Sequence, residues 1–467
     1  MHTYIDDLSD LEDILDEVEE EEEEEENASL SIGDEMDRIT TFMELMYDYI
    51  NENPFAISEP DFEATMMENI CSLFEDTDDD CLEDNLEEAL NLFHMQIVPP
   101  RSYPNTFVTH LSSNYIENTA KKIDYLRGKP QPDQRTPEWY SFRHNLITAS
   151  NAYKAFENDT TRNQLIFEKC QPLIIEPEKS TYVNINSPFH HGQKFEPVSV
   201  MFYEDKYKTT IGDFGCIQHD TYKFIGASPD GINVDPTSKR FGRALEVKNI
   251  VNREIDGIPK KEYWIQMQLQ METCDLDQCD FLECRFVEYE NEYAFINDGT
   301  FCFSEKEDCR KGIIMYFCNK EGNPKYIYMP FSIQTKEDFE HWEQDTMIRY
   351  ATGYTWIKNI YWRLDEYSCV LVDRNKKWFR DSVEKLKEVW TIIEKERVVG
   401  FEHRAANKRA KKPIEQSNGI ISSSIDGCFL KIVKAKAESD KVKSDVIPIM
   451  QTIKIRTESF DDTKLII

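Results

Sequence analysis

No two of the twelve cysteines form a C-x-x-C pair, which removes the zinc ribbons and knuckles that need closely spaced ligands. Cys274, Cys279 and Cys284 recur with four residues between them, a spacing that suits neither, so the thiols read as reduced and mostly buried. Long apolar runs are missing too, and nothing approaches the ~18–20 residues that a bilayer span requires. The first twenty residues, MHTYIDDLSDLEDILDEVEE, have neither the basic start nor the apolar stretch of a secretory signal. A soluble, intracellular protein is expected. Positive charge is scarce at one end only. Arg38 is the single lysine or arginine in residues 1–100, against 34 aspartates and glutamates. The remaining 367 residues carry 55 acidic and 53 basic side chains. The net charge of −35 therefore belongs to the N-terminal fifth, and it does not exclude nucleic acid as a partner of the near-neutral body.

With 467 residues, 40% of them hydrophobic, the chain can build two or three domains. Residues 1–30 form an acidic low-complexity tail that includes EEEEEEEENASL. Adjacent like charges repel and offer nothing to bury, so disorder is expected there. Residues 31–111 read as an acidic helical module. Met36, Ile39, Phe42, Met43, Met46 and Ile50 recur at spacings of three and four, and VPPRSYPN (98–105) is the exit linker. Residues 112–397 mix both kinds of element. TPEWYSFRHNLI, TASNAYKAFE, KFEPVSVMFYEDKY and KKEYWIQMQLQMETC read as helices, with Thr148 or Ser150 available to cap the second. TIGDFGCIQHD, KFIGASPDG, GRALEVKNI, CDFLECRFVEY and YSCVLVDRN read as strands, and KWFRDSVEKLKEVWTIIEKERV as a long helix. Residues 398–467, which include HRAANKRAKKP, read as a basic, flexible segment.

The chemistry sits in two stretches, GASPDGI (226–232) and ALEVKNI (244–250). Strand residues i and i+2 face the same way, so Glu246 and Lys248 share a face while Val247 points oppositely. A hairpin-sized connection places Asp230 beside Glu246 on adjacent antiparallel strands. Two converging carboxylates repel unless a cation lies between them, and oxygen-only ligands suit Mg²⁺ or Mn²⁺ rather than zinc. A lysine alongside can orient a water and help deprotonate it, which is what phosphodiester hydrolysis needs. The bland alternative is a solvated Glu–Lys pair, since an Asp followed by Glu-x-Lys arises often by chance. The apolar flanks of ALEVKNI and the rigid SPDG turn weigh against it.

Pro229-Asp230, then fifteen residues, then Glu246-Val247-Lys248 resembles the restriction-endonuclease-like PD-(D/E)xK pattern. Four blocks in order resemble, more narrowly, the YqaJ and phage lambda exonuclease family. They are WYSFRHNLITAS (139–150), HGQKFEPVSVMFYE (191–204), GASPDG with LEVK, and YWIQMQLQME (263–272). The wording is closest to the lambda-type exonucleases of large eukaryotic DNA viruses, and the resemblance covers about residues 112–395. It implies an α/β fold, with a mixed central sheet flanked by helices. By the same resemblance, Asp230 and Glu246 bind the catalytic metal with the Val247 carbonyl as a further ligand, and Lys248 positions or activates the attacking water. Glu196 completes the metal site at a second ion. Gln266 reaches the same centre, with Tyr263 one helical turn before it. Arg143 and Ser150 match the pocket for a terminal 5′-phosphate.

The activity so implied is metal-dependent degradation of double-stranded DNA from its ends, 5′ to 3′, with release of 5′-mononucleotides. The cofactor is Mg²⁺ or Mn²⁺, as two ions. The setting is viral DNA recombination, repair or replication in the host cytoplasm or nucleus, with a ring-shaped homotrimer and a single-strand annealing protein as partners. Each residue also has a structural reading. Glu196 can be a surface acid, Ser150 a helix cap and Tyr263 a core aromatic. Of Gln266, Gln268 and Gln270 only one should face the metal, since alternate helix positions diverge by about 200°. His190-His191 reads as a loop feature. An endonuclease on the same core, or a DNA- or partner-binding module without catalysis, stays open.

Overall fold

The computed structural model describes residues 35–74, 82–104, 111–134, 136–173, 184–306, 309–405, 422–425 and 428–431. The acidic tail 1–30 and the KRAKK stretch (408–412) lie outside them. The described residues up to Ala405 form one compact unit and those from 422 onward belong to a second. In the second, Ser422–Ile425 pairs antiparallel with Cys428–Lys431. No described helix is long and apolar enough to cross a membrane.

The described residues of the first unit begin with three acidic helices, α1 (35–52), α2 (Phe62–Cys71) and α3 (Leu82–Gln96). Their apolar residues recur every three or four positions and are buried: Ile39, Phe42, Met46 and Ile50 on α1, Phe62, Met66 and Ile70 on α2, Leu86, Ala89 and Phe93 on α3. These stripes share one apolar cluster with residues far along the chain, including Ile123, Trp264 and Trp378. Packing thus joins what composition separates. Arg101 fastens the joint. It is 4% exposed, and its guanidinium donates to the carbonyls of Ile57 (3.0 Å), Ser58 (2.9 Å) and Pro259 (2.9 Å).

There follow β1 (Tyr103–Pro104), α4 (Ser113–Arg127), α5 (Pro137–His144), β2 (Ile147–Thr148), α6 (Ala149–Ala152) and α7 (Asp159–Cys170). Next come α8 (Pro188–Tyr207), β3 (Ile211–Gly212), β4 (Ile217–Gln218), β5 (Ile225–Ala227), β6 (Gly231–Asn233) and β7 (Ala244–Asn249). The last group is α9 (Lys261–Cys274), β8 (Gln278–Glu288), α10 (Glu292–Ile296), β9 (Lys311–Asn319), β10 (Pro324–Tyr328), α11 (Lys336–Tyr350), β11 (Tyr354–Asp373) and α12 (Lys376–Val399). Eight strands form one mixed sheet in the order β10-β9-β11-β8-β7-β6-β3, with β1 also on β11. The pair β7/β8 runs parallel and the other pairs of this sheet antiparallel. A parallel pair needs a crossover, and α9 supplies it.

Alternation along β7 assigns its two faces. Leu245 and Val247 pack with Leu282 and Cys284 against Phe195, Val198 and Tyr203 of α8. Ala244, with Cys279 and Phe281, lies in the cluster that includes Trp264, Ile265 and Leu269 of α9. Glu246 and Lys248 belong to this second face. The expected architecture, a mixed sheet flanked by helices, is present. Cys274, Cys279 and Cys284 are buried free thiols.

Several elements differ from the sequence reading. TIGDFGCIQHD and KFIGASPDG each divide between two sheets, because β4 and β5 join β2 in a separate three-stranded sheet. Pro229 has no N–H for a ladder, so the chain leaves one sheet there and enters the other at Gly231. Asp230 therefore precedes its strand rather than ending one. TASNAYKAFE yields only a four-residue α6 followed by a 3₁₀ turn, Tyr153–Ala155. Helix α8 starts earlier than KFEP, since Ser187 caps it by accepting from the His190 N–H (3.1 Å) and Pro188 fits its first turn. The His190-His191 pair is accordingly helical, and His190 Nε2 meets the Tyr326 hydroxyl at 2.7 Å.

Replacing Arg101 by Met would leave three buried carbonyls without their donor. It should destabilise the protein by about 3 kcal/mol, read as a lower thermal unfolding midpoint. A variant that melts with the parent would show that Arg101 does not help to dock the acidic helices.

Candidate active site

The register Gly231↔Leu245 and Ile232↔Ala244 brings Asp230 level with Glu246 at the end of the β6/β7 pair. The backbone holds Asp230 twice: its N–H donates to Leu245 O (3.0 Å) and its Oδ2 accepts from the Val247 N–H (2.7 Å). Gly231 is required beside it, since a Cβ there would lie 2.1 Å from Ile211 Cγ2 on β3. The Glu246 side chain is 1% exposed and that of Lys248 is 22% exposed. Glu246 Oε1 pairs with Lys248 Nζ, and Oε2 accepts from Gln270 Nε2 at 2.6 Å. Lys248 Nζ lies 3.5 Å from Gln266 Oε1 and 4.8 Å from the centre of the Tyr263 ring.

Helix α9 therefore presents Tyr263, Gln266 and Gln270 to the two charged residues of β7. One glutamine was expected to do so, and two do. Positions 266 and 270 are four apart and share a face, whereas Gln268 turns away to Asp373 O (2.9 Å) and the Asn375 N–H (2.7 Å). The signal for Gln270 was the four-residue interval. Asn249 was missed as well. It accepts from Ser199 Oγ (2.7 Å) and donates to Gly192 O (3.0 Å), tying α8 to the end of β7. Glu196, exposed on α8, lies close enough for its charge to act on Asp230. Pro197 removes the donor for Gln193 O, and the Tyr328 hydroxyl donates to the next carbonyl, Lys194 O (2.9 Å).

Electrostatics mark the centre. The Asp230 carboxyl is held well above the ordinary value of 3.8 by burial, then by the charges of Glu246 and Glu196, with Lys248 opposing. For Lys248 burial works downward, but the charges of Glu246 and Asp230 outweigh it and the ammonium is held above its usual range. Lys248 is thus a fixed donor while no cation is bound.

Arg143 and Ser150 sit on neighbouring elements, α5 and α6. The Arg143 guanidinium lies 4.6 Å over the Trp139 ring, and its backbone O accepts from Lys169 Nζ (2.8 Å). Arg397 donates to His144 O (2.7 Å), Asn145 Oδ1 (3.0 Å) and Lys169 O (2.9 Å). Cations thus meet the C-termini of α5 and α7, where the helix dipole favours them. Burial, then Arg143 and Arg397, lower the Lys169 ammonium to about 8. Ser150 is exposed, with its hydroxyl 3.4 Å from that of Thr148. Thr148 is the N-cap residue of α6 but makes no side-chain cap bond.

Hard oxygen donors, an acid raised by burial and then by its neighbour, and a lysine left partly exposed fit a small divalent cation. Among the described residues no group of three or more His, Cys, Asp or Glu is placed to hold an ion. That is compatible with Mg²⁺, which uses one or two carboxylates and completes its shell with water and substrate oxygens. Asp230 and Glu246 are the two that would hold it.

Residues 138–277 match the family pattern of the YqaJ-like viral recombinase domain. Both carboxylates, Lys248 and the whole of α9 fall inside it. An uncharacterized protein of Acanthamoeba polyphaga mimivirus is 30% identical over 355 residues, 69% of this chain and 63% of the relative. The chain thus spans less than two thirds of that relative's length. Two crystal structures of LHK-Exo, an alkaline exonuclease from Laribacter hongkongensis, one with dAMP, are 18% and 17% identical. Each alignment covers 56% of this chain and 94% of the exonuclease, with a TM-score of 0.32. A phage-related exonuclease from Haemophilus somnus is 15% identical over 55% of this chain and 96% of its own, with a TM-score of 0.27.

A carboxyl raised in the folded state binds a proton there at pH values where the unfolded chain has released it, so stability falls as pH rises through that window. Asp230→Asn keeps the acceptor for Val247 and removes the charge. In EDTA at neutral pH it should melt above the parent, and its stability should fall less as pH rises from the ordinary aspartate value of 3.8. Equal or lower melting would contradict the burial-driven elevation.

Proposed function

We propose that the YqaJ-like domain makes this protein a metal-dependent exodeoxyribonuclease that degrades duplex DNA from its ends, 5′ to 3′, and releases 5′-mononucleotides. One observation carries the reading: Asp230 and Glu246 lie level on adjoining strands inside the matched domain, with Lys248 between Glu246 and the polar face of α9. Asp230 and Glu246 would hold Mg²⁺ or Mn²⁺ with the Val247 carbonyl, and Glu196 would serve a second ion from α8. Such a cation supplies Lewis acidity and lowers the pKa of water.

The chain's own residues do the rest. Lys248, kept cationic by two carboxylates, orients the attacking water and offsets the charge that grows on the phosphate oxygens. Gln266 and Tyr263 limit where its ammonium can go. Arg143, held over the Trp139 ring, offers a guanidinium fork for a terminal 5′-phosphate. Ser150 adds a hydroxyl from the first turn of α6. The near balance of charge beyond residue 100 leaves room for DNA despite the acidic first fifth. The setting we infer is viral DNA recombination, repair or replication in the host cytoplasm or nucleus. A homotrimeric ring and a single-strand annealing partner belong to the same proposal.

Linear 5′-phosphorylated duplex and covalently closed circles, each with Mg²⁺ or EDTA, decide the matter. Linear DNA should be consumed with Mg²⁺ and spared in EDTA, and closed circles should persist. Lys248→Ala should lower the rate at least ~100-fold, and Asp230→Asn should abolish it. Cutting of closed circles would favour an endonuclease, and full activity in either variant would remove the site.

A further inference from the structure

We propose that Gln270 is a positioning residue that sets the spacing of the two carboxylates, an inference that rests on the nuclease reading above. Gln270 is fully buried on α9, at 0% exposure. Its Nε2 donates to Glu246 Oε2 at 2.6 Å and to the backbone O of Ser228 at 3.2 Å. Those two acceptors belong to different elements. Glu246 is on β7, and Ser228 lies two residues before Asp230 in the turn that enters β6. A single amide thus ties the helix to both pieces of chain that carry the acids.

The amide can sit only one way round. Turning it over would set Oε1 against two acceptor oxygens, so the network fixes the nitrogen towards them. The consequence is visible on the other side: Gln270 Oε1 is buried and has no hydrogen-bond partner among the described residues. Leaving a buried acceptor without a donor is costly, and the side chain bears that cost to serve as a double donor. The carboxylate of Glu246 is divided accordingly, one oxygen to Lys248 and one to Gln270, with a lone pair left on each. Without Gln270 the carboxylate could swing about its last torsion, which is intrinsically broad, and the Ser228 turn would lose its link to α9. Gln266 cannot substitute, because its contact is with Lys248.

The test is titration of the cation-free protein with MnCl₂ by calorimetry, in the absence of DNA, for the parent, Gln270→Met and Gln268→Met. Both substitutions remove a buried amide from the same helix, but Gln268 bonds to Asp373 and Asn375 instead of the acids. Gln270→Met should weaken Mn²⁺ binding by about 10–100-fold, while Gln268→Met stays within about twofold of the parent. Nuclease activity of Gln270→Met should return as Mn²⁺ is raised, because the loss is in holding the cation. Should Gln270→Met fail to fold, Gln270→Asn, whose shorter arm cannot span both acceptors, is read by the same titrations. Parent-like Mn²⁺ affinity in the Gln270 variant, or equal weakening in both variants, overturns the inference. If Asp230→Asn and Glu246→Gln also bind Mn²⁺ like the parent, the nuclease site itself is misplaced, and that outcome is distinct from a failure of Gln270 alone.

Discussion

A carboxylate reduced to 1% exposure between a sheet and a helix has to be answered by donors, and Glu246 is the group around which this structure is arranged. One answer, Lys248, comes from two residues along the same strand. The other, Gln270, comes from the helix that crosses the sheet between β7 and β8. A parallel pair demands such a crossover, and here the crossing element lays its polar face on the acid it passes. Topology and chemistry are thus met by one helix. Gly231, with no room for a Cβ, brings Asp230 up to the same point.

The sheet holds a second deeply buried acid, and the contrast is instructive. Asp280, in register with Leu245, is 0% exposed on the side of α8. Arg243 (3.0 Å), Arg240 (2.6 Å) and the Tyr203 hydroxyl all donate to it. Its negative charge is fully met from within the protein, and the cluster fastens the connection from β6 to β7 onto β8. Among the described residues, Lys248 is the one cation beside both Glu246 and Asp230. Asp280 is therefore complete as it stands, while the Asp230–Glu246 pair remains short of positive charge. That deficit sets the two buried acid clusters of the sheet apart.

Much of this was legible in the residues alone. The period-two pattern of ALEVKNI placed Glu246 and Lys248 on one face, and the register of β6 and β7 bears out the approach of Asp230. The heptad-like stripes of α1 to α3 are buried as their spacing demands. Three things were less accessible. The strands Lys311–Asn319 and Pro324–Tyr328, the first part of Tyr354–Asp373 and the helix Lys336–Tyr350 stand where no motif directed attention. TIGDFGCIQHD and KFIGASPDG each read as one strand, because a run of β-forming residues does not reveal that its halves serve different sheets. The placement of Gln270 is hard to read because three glutamines at alternate positions look like alternatives, although residues four apart on a helix are neighbours.

Lys261, the first residue of α9, bridges Glu59 of the acidic region (2.6 Å) and Glu157 (2.9 Å). Four residues later in the same region, Glu63 carries a charge that acts on Arg101, the residue that reaches Pro259. The recombinase-like segment is consequently not a portable cassette. Cut out at its sequence borders, it would keep both Asp230 and Glu246 but expose the tryptophan-lined flank of its own crossover helix, where Trp264 packs on Trp378 of α12 (5.2 Å between ring centres). Swapping such a domain between relatives would have to carry along the acidic helices before it and the long helix after it, as a wheel is moved with its axle.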